Sequence, residues 1–322
     1  MCSSDLTQQQ KLTSSDGAAG DVFGYSVSIS GDTIVVGAYL ADVGANADQG
    51  AAYVFTRSSG TWTQQAKLTA SDGAAGDFFG WSVSLKSDIA IVGAPFDDVT
   101  ATDEGSAYIF MYNSGSWSQT GRANASDASA NGGYGYSVSI YRGTWGYTFV
   151  VGAPYKDAVY ISTFFAGSWS GQKLTPSDGA AGDYFGLSVA VEEDTLIVGS
   201  PFSYVSGVSQ GSAYVFTRPA GTWNQQSWTQ RQRLSASDGD TNDWLGFFVS
   251  VSGDSAILGA PKDDLGANPD QGSAYIFTRS AGTWSMSQKL SASDGDAGEE
   301  FGYSVFCDAN TVISGEIGRA HV

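Results

Sequence analysis

"SDGAAGDVFGYSVSISGDTIVVGA", Ser15–Ala38, returns as "SDGAAGDFFGWSVSLKSDIAIVGA" from Ser71 to Ala94 and as "SDGAAGDYFGLSVAVEEDTLIVGS" from Ser177 to Ser200. An aromatic or leucine followed by glycine anchors the period: Phe23-Gly24, Phe79-Gly80, Tyr134-Gly135, Phe185-Gly186, Leu245-Gly246 and Phe301-Gly302, spaced by 56, 55, 51, 60 and 56 residues. Each unit adds a second anchor ending at Tyr39, Pro95, Pro154, Pro201 or Pro261, and in four units a third, Ala52–Phe55, Ala107–Phe110, Ala213–Phe216 or Ala274–Phe277. A fourth carries Trp62, Trp117, Trp169, Trp223 or Trp284.

The four anchors read as four strands. "FGYSVSI" alternates small polar and apolar residues, as a strand with two unlike faces does, whereas "TIVVGA" is continuously apolar, as in a strand covered on both sides. "AYVFTR" and "TWTQQAKL" alternate again, the last being the most polar, and "SGD" and "SSG" supply tight turns. Four antiparallel strands repeated at this interval are the mark of propeller blades. Gly, Ala and Ser in the first two strands suit a crowded axis. Composition agrees: 42 Gly, 7 Pro and 13% aromatics in 322 residues, with no strong 3.6-residue pattern.

A formal net charge of -18 argues against nucleic acid or an anionic membrane surface as partner, and no apolar run is long enough to span a bilayer. "MCSSDL" (Met1–Leu6) and "EIGRAHV" (Glu316–Val322) read as a sequencing-library adapter translated in its two orientations. They are expected to be extraneous, leaving residues 7–315 as the propeller. His321, the only histidine, then falls outside it, and Cys307 is the one native cysteine, expected to be buried and inert.

The "FG…VGAP" pattern resembles the FG-GAP repeats of integrin α-chain propellers, and the longer phrase "QKLTxSDGAAGDxFGxSVxISGDTxxVGAP" is similar to large extracellular microbial proteins. The resemblance covers the whole of residues 7–315. It implies an extracellular or cell-surface setting and a seven-bladed ring. By strand count the chain holds an outer strand "TQQQKL", five full blades and two strands of a sixth. Such an open arc has exposed edges prone to pairing.

Strand parity places the links between blades and the turns between second and third strands on one face. The links carry "SDGAAGD" and its kin; the turns carry Asp42, Asn46 and Asp48, then Asp97, Asp98, Asp103 and Glu104, then Asp263, Asp264, Asn268 and Asp270. Arg57, Arg218 and Arg279 belong to the other face. The bland account of these acids is turn chemistry, since Asp side chains bond nearby N–H groups and Gly supplies positive φ. The sharper account is ligand recognition by an acidic face, with Asp42, Asn46, Asp48, Asp97, Asp98, Asp103, Tyr204, Asp263, Asp264, Asn268 and Asp270 as candidates. Calcium is the only cofactor considered, at Asp263, Asp264, Asn268 and Asp270, which lack strict EF-hand spacing. The integrin calcium loop does not carry over, because only "SGDT", "KSDI", "EEDT" or "SGDS" stands between the FG and GAP strands.

Without histidine in the repeats there is no Ser-His-Asp or Cys-His arrangement. Paired carboxylates sit in repeated turns, whereas an active site should appear as a break in the repeat. The breaks are "YRGTWGYT" around Trp145, the short turn "YKDAVY", and "FSYVSGVSQG" with the extension "WNQQSWTQRQRL". Tyr204, Trp145 and Trp228 could stack on a sugar or anchor a protein there, although filling gaps between blades suits each of them better. The expected function is a non-catalytic surface platform that binds a protein or glycan in adhesion. The rivals are an accessory module of a secreted hydrolase and a structural spacer.

Overall fold

A computed structural model describes residues 8–143, 146–219, 227–308 and 311–316. Met1–Leu6, Trp145, Trp223 and His321 lie outside the described residues. The chain is all-β, with no α-helix among the described residues. Five four-stranded antiparallel sheets and one two-stranded sheet follow one another, each with its strands in chain order, a propeller-like arrangement of blades.

Blade 1 comprises Val27–Ser30, Thr33–Ala38, Ala51–Ser58 and Thr61–Leu68; blade 2 comprises Ser82–Lys86, Ile89–Ala94, Ser106–Asn113 and Ser116–Ala123. Blade 3 has Ser137–Arg142, Gly146–Ala153, Ala158–Phe165 and Ser168–Leu174; blade 4 has Val189–Glu192, Thr195–Ser200, Ser212–Thr217 and Thr229–Leu234. Blade 5 has Val249–Ser252, Ser255–Ala260, Ser273–Ser280 and Thr283–Leu290, and blade 6 has Ser304–Asp308 and Thr311–Gly315.

Burial follows the sequence pattern. The apolar second strand of blade 2 is buried throughout, while outer strands alternate between exposed and half-buried residues. The FG dipeptide lies outside the first strand, contrary to the expectation: Gly24 and its equivalents have positive φ and form a turn, and the strand begins two or three residues later. Residues 8–12, expected to form an outer strand, are not in a strand, because no described third strand stands beside them. Gln10 nevertheless exchanges two hydrogen bonds with the backbone of Trp62, at 2.8 and 2.9 Å.

The axis is built from close backbone contact. The FG glycine of each blade sits against the GAP glycine of the blade before it, and Ser26, Ser82, Ser137 and Ser188 donate to that FG carbonyl at 2.7–3.0 Å. A second serine ladder joins the first strands, with Ser28, Ser84, Ser139 and Ser250 accepting from Leu85, Ile140, Val191 and Cys307 N–H. Cys307 is buried, and desolvation raises its thiol pKa.

Further out, apolar clusters fill each junction between blades. Val83, Val138, Val189 and Val249 are buried by the preceding blade, but Val27 and Ile29 on blade 1, like Phe306 and Ile313 on blade 6, are exposed.

Candidate binding face

The two loop sets do share one face, and they are hydrogen-bonded to each other. Phe79 N–H donates to Gln49 O at 2.8 Å, Tyr134 N–H to Glu104 O at 3.0 Å, Leu245 N–H to Gln210 O at 2.9 Å and Phe301 N–H to Gln271 O at 2.8 Å. Blade 3 lacks the long turn and substitutes a side chain. Asp157, left-handed at φ 46°, accepts from Gly182 and Phe185 N–H at 2.9 and 3.1 Å.

Most acids of this face are engaged in holding it together. The first Asp of each link pairs with the outer strand of the next blade: Asp16 with Lys67, Asp72 with Arg122, Asp127 with Lys173, Asp178 with Arg233 and Asp238 with Lys289, at 2.5–2.8 Å. The Lys67 hydrogen bond holds the Asp16 carboxyl below its usual range, and Lys173 does the same for Asp127. The last Asp closes its own turn: Asp21, Asp77, Asp183 and Asp243 accept from a backbone N–H three residues earlier at 2.6–2.8 Å. Burial pushes Asp77 and Asp243 up to about 6.

Among the turn candidates, exposed Asp42, Asp98 and Asp264 accept from the N–H of Asp48, Asp103 and Asp270 at 3.0, 2.7 and 2.8 Å. Those three acceptor-held residues adopt positive φ. Asp97 is buried and takes the Tyr108 hydroxyl at 2.9 Å. Asn46 and Asn268 reach into the neighbouring link at Gly73 and Gly295. Tyr204 is 62% exposed and lies at the rim of the same face.

The residues considered for calcium do not converge. Asp263 is buried with Lys289, Ser273 and Tyr275, Asp264 caps its turn, Asn268 bonds Gln271 and Gly295, and Asp270 lies 3.5 Å from Lys262. Among the described residues no three acidic, cysteine or histidine side chains are placed to hold an ion. Calcium needs six or more converging oxygens, and this donor set does not fit it.

On the opposite face Arg57, Arg142 and Arg279 pair with Asp32, Asp88 and Asp254. Arg218 is buried beside Thr148 and Glu193 O. Trp228, read as a candidate exposed anchor, is only 2% exposed. It occupies the outer-strand position of Trp62 and Trp284, receiving the same backbone bond from a glutamine, Gln172.

At the axial mouth of the loop face the structure assembles a feature that sequence reading missed. Rings touch in an unbroken series from blade 1 to blade 6: Tyr25, Trp81, Tyr136, Tyr155, Tyr184, Phe202, Trp244, Phe247 and Tyr303. Successive centroids are 4.9–5.8 Å apart. These rings come from the residue after FG, the residue before FG and the residue after GAP, so no single repeat position carries them.

Burial, and then the neighbouring hydroxyls of Tyr136 and Tyr303, raise the Tyr25 pKa well above normal. The residue before FG is left-handed even where it is bulky: Phe78, Tyr184 and Trp244 have φ of 56–61°, where blade 3 uses Gly133. That conformation costs about 1–2 kcal/mol for a side-chain-bearing residue, and it turns the ring toward the axis.

The blades, the shared loop face and its aromatic collar define a propeller-type repeat module. The model for the FG-GAP repeat matches residues 6–55, 62–110, 117–168, 169–216, 228–277 and 284–321, and the chain belongs to the FG-GAP repeat family. A comparison with curated proteins finds no match. The repeats indicate an extracellular binding or adhesion-type module. No described helix is long and apolar enough to cross a membrane.

Proposed function

We propose that this module is an adhesion-type platform whose loop face captures a cationic segment of a partner protein at the aromatic collar. One observation carries the reading. Where blades 2, 3 and 4 place Phe96, Tyr155 and Phe202, blade 5 places Lys262, and its ammonium lies over Trp244, 5.5 Å from the ring centroid, between Asp270 and Glu300. The collar thus already holds a lysine of its own chain, using a π face and flanking carboxylates. A cation over an aromatic face gains about 0.5–2 kcal/mol, more as it is desolvated.

The remaining rings offer the same chemistry without an internal lysine. Trp81 and Tyr136 are half-buried neighbours, and Asp103 is close enough to help raise the Tyr155 pKa. A net charge of -18 would steer a basic partner to this protein and make association salt-sensitive. A glycan is the alternative ligand, because tilted Tyr and Trp faces also suit sugar rings.

Titration with a lysine-rich peptide and with neutral oligosaccharides separates the two readings. Saturable, salt-sensitive peptide binding that is lost in Trp81→Ala/Tyr136→Ala supports the proposal. Oligosaccharide binding without peptide binding replaces it with the glycan reading, and binding of neither removes both.

A further inference from the structure

Three departures from the repeat fall at one junction, that of blades 2 and 3. In blades 2, 4 and 5 a buried phenylalanine of the third strand, Phe110, Phe216 or Phe277, packs toward the preceding blade, and blade 1 carries Phe55 at the same place. Strand register puts Ser162 in that place in blade 3, since Phe149 pairs with Ser162 as Ile34 pairs with Phe55.

The second departure is a missing clamp. Gln172 and Gln232 each exchange two hydrogen bonds, at 2.7–3.0 Å, with the backbone of the next blade's Trp228 and Trp284. The register equivalent on blade 2 is Gly121, which pairs with Ile109 as Gln172 pairs with Ile161; blade 1 also lacks the glutamine, with Ala66 there, so only at the blade 2–3 junction does this loss coincide with the other two departures.

The third is the absence, in blade 3, of the register shift found between third and outer strands of the other four complete blades. With it goes the glutamine that, as Gln64, Gln119 and Gln230, accepts from the Ser15, Ser71 and Ser177 N–H of the link.

The result is a cavity of about 550 Å³ lined by Ile91, Met111, Gly121, Phe149, Ser162 and Trp169 among others. Trp169 is 56% exposed, whereas Trp228 and Trp284 at equivalent junctions are 2–3% exposed. Phe149, opposite Ser162 where the other blades carry Ile34, Ala90, Leu196 or Ala256, returns a ring to the same cross-strand pair, but the space of the missing glutamine side chain stays open.

We propose that this crevice is a binding site for an uncharged, ring-bearing small molecule. The volume falls in the range of about 300–1,000 Å³ used by small-molecule sites, and far exceeds the roughly 150 Å³ that admits benzene. One wall is aliphatic and the other aromatic, the arrangement that accepts a flat apolar ligand. Among the described residues the only charged lining group, Arg122, is already paired with Asp72. Thr120 uses its hydroxyl on Ile109 O, and the hydroxyls of Ser162, Tyr134 and Tyr147 are the further polar groups of the lining. The inference does not rest on the collar.

The neutral fluorescent probe N-phenyl-1-naphthylamine, titrated into the full chain, tests it. The expected result is saturable binding at one site, weakened at least tenfold by Ser162→Phe and by Gly121→Gln, each of which restores the repeat, and unchanged in Trp81→Ala. A Cβ on Gly121 would meet Ile109 at 3.7 Å, an ordinary contact, so Gly121→Gln carries the test should Ser162→Phe fail to fold. Absence of saturable binding, binding indifferent to both variants, or loss in Trp81→Ala would each overturn the proposal.

Discussion

Gly37 of blade 1 and Gly80 of blade 2 meet backbone to backbone. A Cβ on Gly37 would lie 2.0 Å from the Gly80 carbonyl oxygen, and the same approach recurs between Gly93 and Gly135. These are the G of GAP and the G of FG, so the two signatures of the repeat are the two sides of one contact between blades. Gly93→Ala should therefore lower stability by about 1–3 kcal/mol, the usual cost of overpacking. Gly121→Ala, whose Cβ would make only an ordinary contact with Ile109 at 3.7 Å, should be near neutral. Denaturant midpoints for the pair check this, and equal midpoints would contradict it.

The glutamine clamps supply a second measure of junction strength. Gln172→Ala removes both bonds to Trp228 and should cost about 1–3 kcal/mol, at roughly 1 kcal/mol per hydrogen bond. Gln288→Ala, on the last complete blade and with no described outer strand beyond it, should cost less than half as much. Thermal melts of the two variants decide.

Val22 is β-branched, exposed and left-handed at φ 53°. Val22→Gly should stabilise by about 1 kcal/mol, because relief of the left-handed strain exceeds the entropy that glycine adds to the unfolded chain. A lowered melting temperature would show that Val22 is held there by packing instead.

Asp77 and Asp243 give a pH signature. Their folded pKa of about 6 exceeds the unfolded value, so they bind protons more tightly when folded. Their contribution to stability is then fully present below about pH 4 and is lost as pH rises through 6. The melting temperature should fall across that window. In Asp77→Asn/Asp243→Asn, which keeps an acceptor for the Ala74 and Asp240 N–H groups, the fall should be shallower. Parallel profiles would contradict the burial account.

The blade count, the strand order and the loop face were legible because each unit repeats the same burial pattern. The role of the acids was legible only in part: Asp42 read first as a turn former and second as a ligand, and which oxygen meets which N–H is a matter of three-dimensional register. The collar was hidden because its rings occupy three different positions of the repeat and change identity from blade to blade, as Trp81, Tyr136 and Leu187 do after FG. The clamp partners lie 52 or 56 residues apart, beyond any local pattern. Ser162 was hidden because blade 3 has irregular spacing on both sides of it. Trp228 could not be assigned to the outer strand while Trp223 fitted the motif as well.

The most direct test of the account is a lysine-rich peptide titrated against the intact chain and against Trp81→Ala/Tyr136→Ala at two salt concentrations. The account predicts saturable binding to the intact chain that weakens with salt and falls at least tenfold in the variant, with melting behaviour that still reports folded blades. Equal binding by both proteins would mean that the collar is packing and not a recognition site.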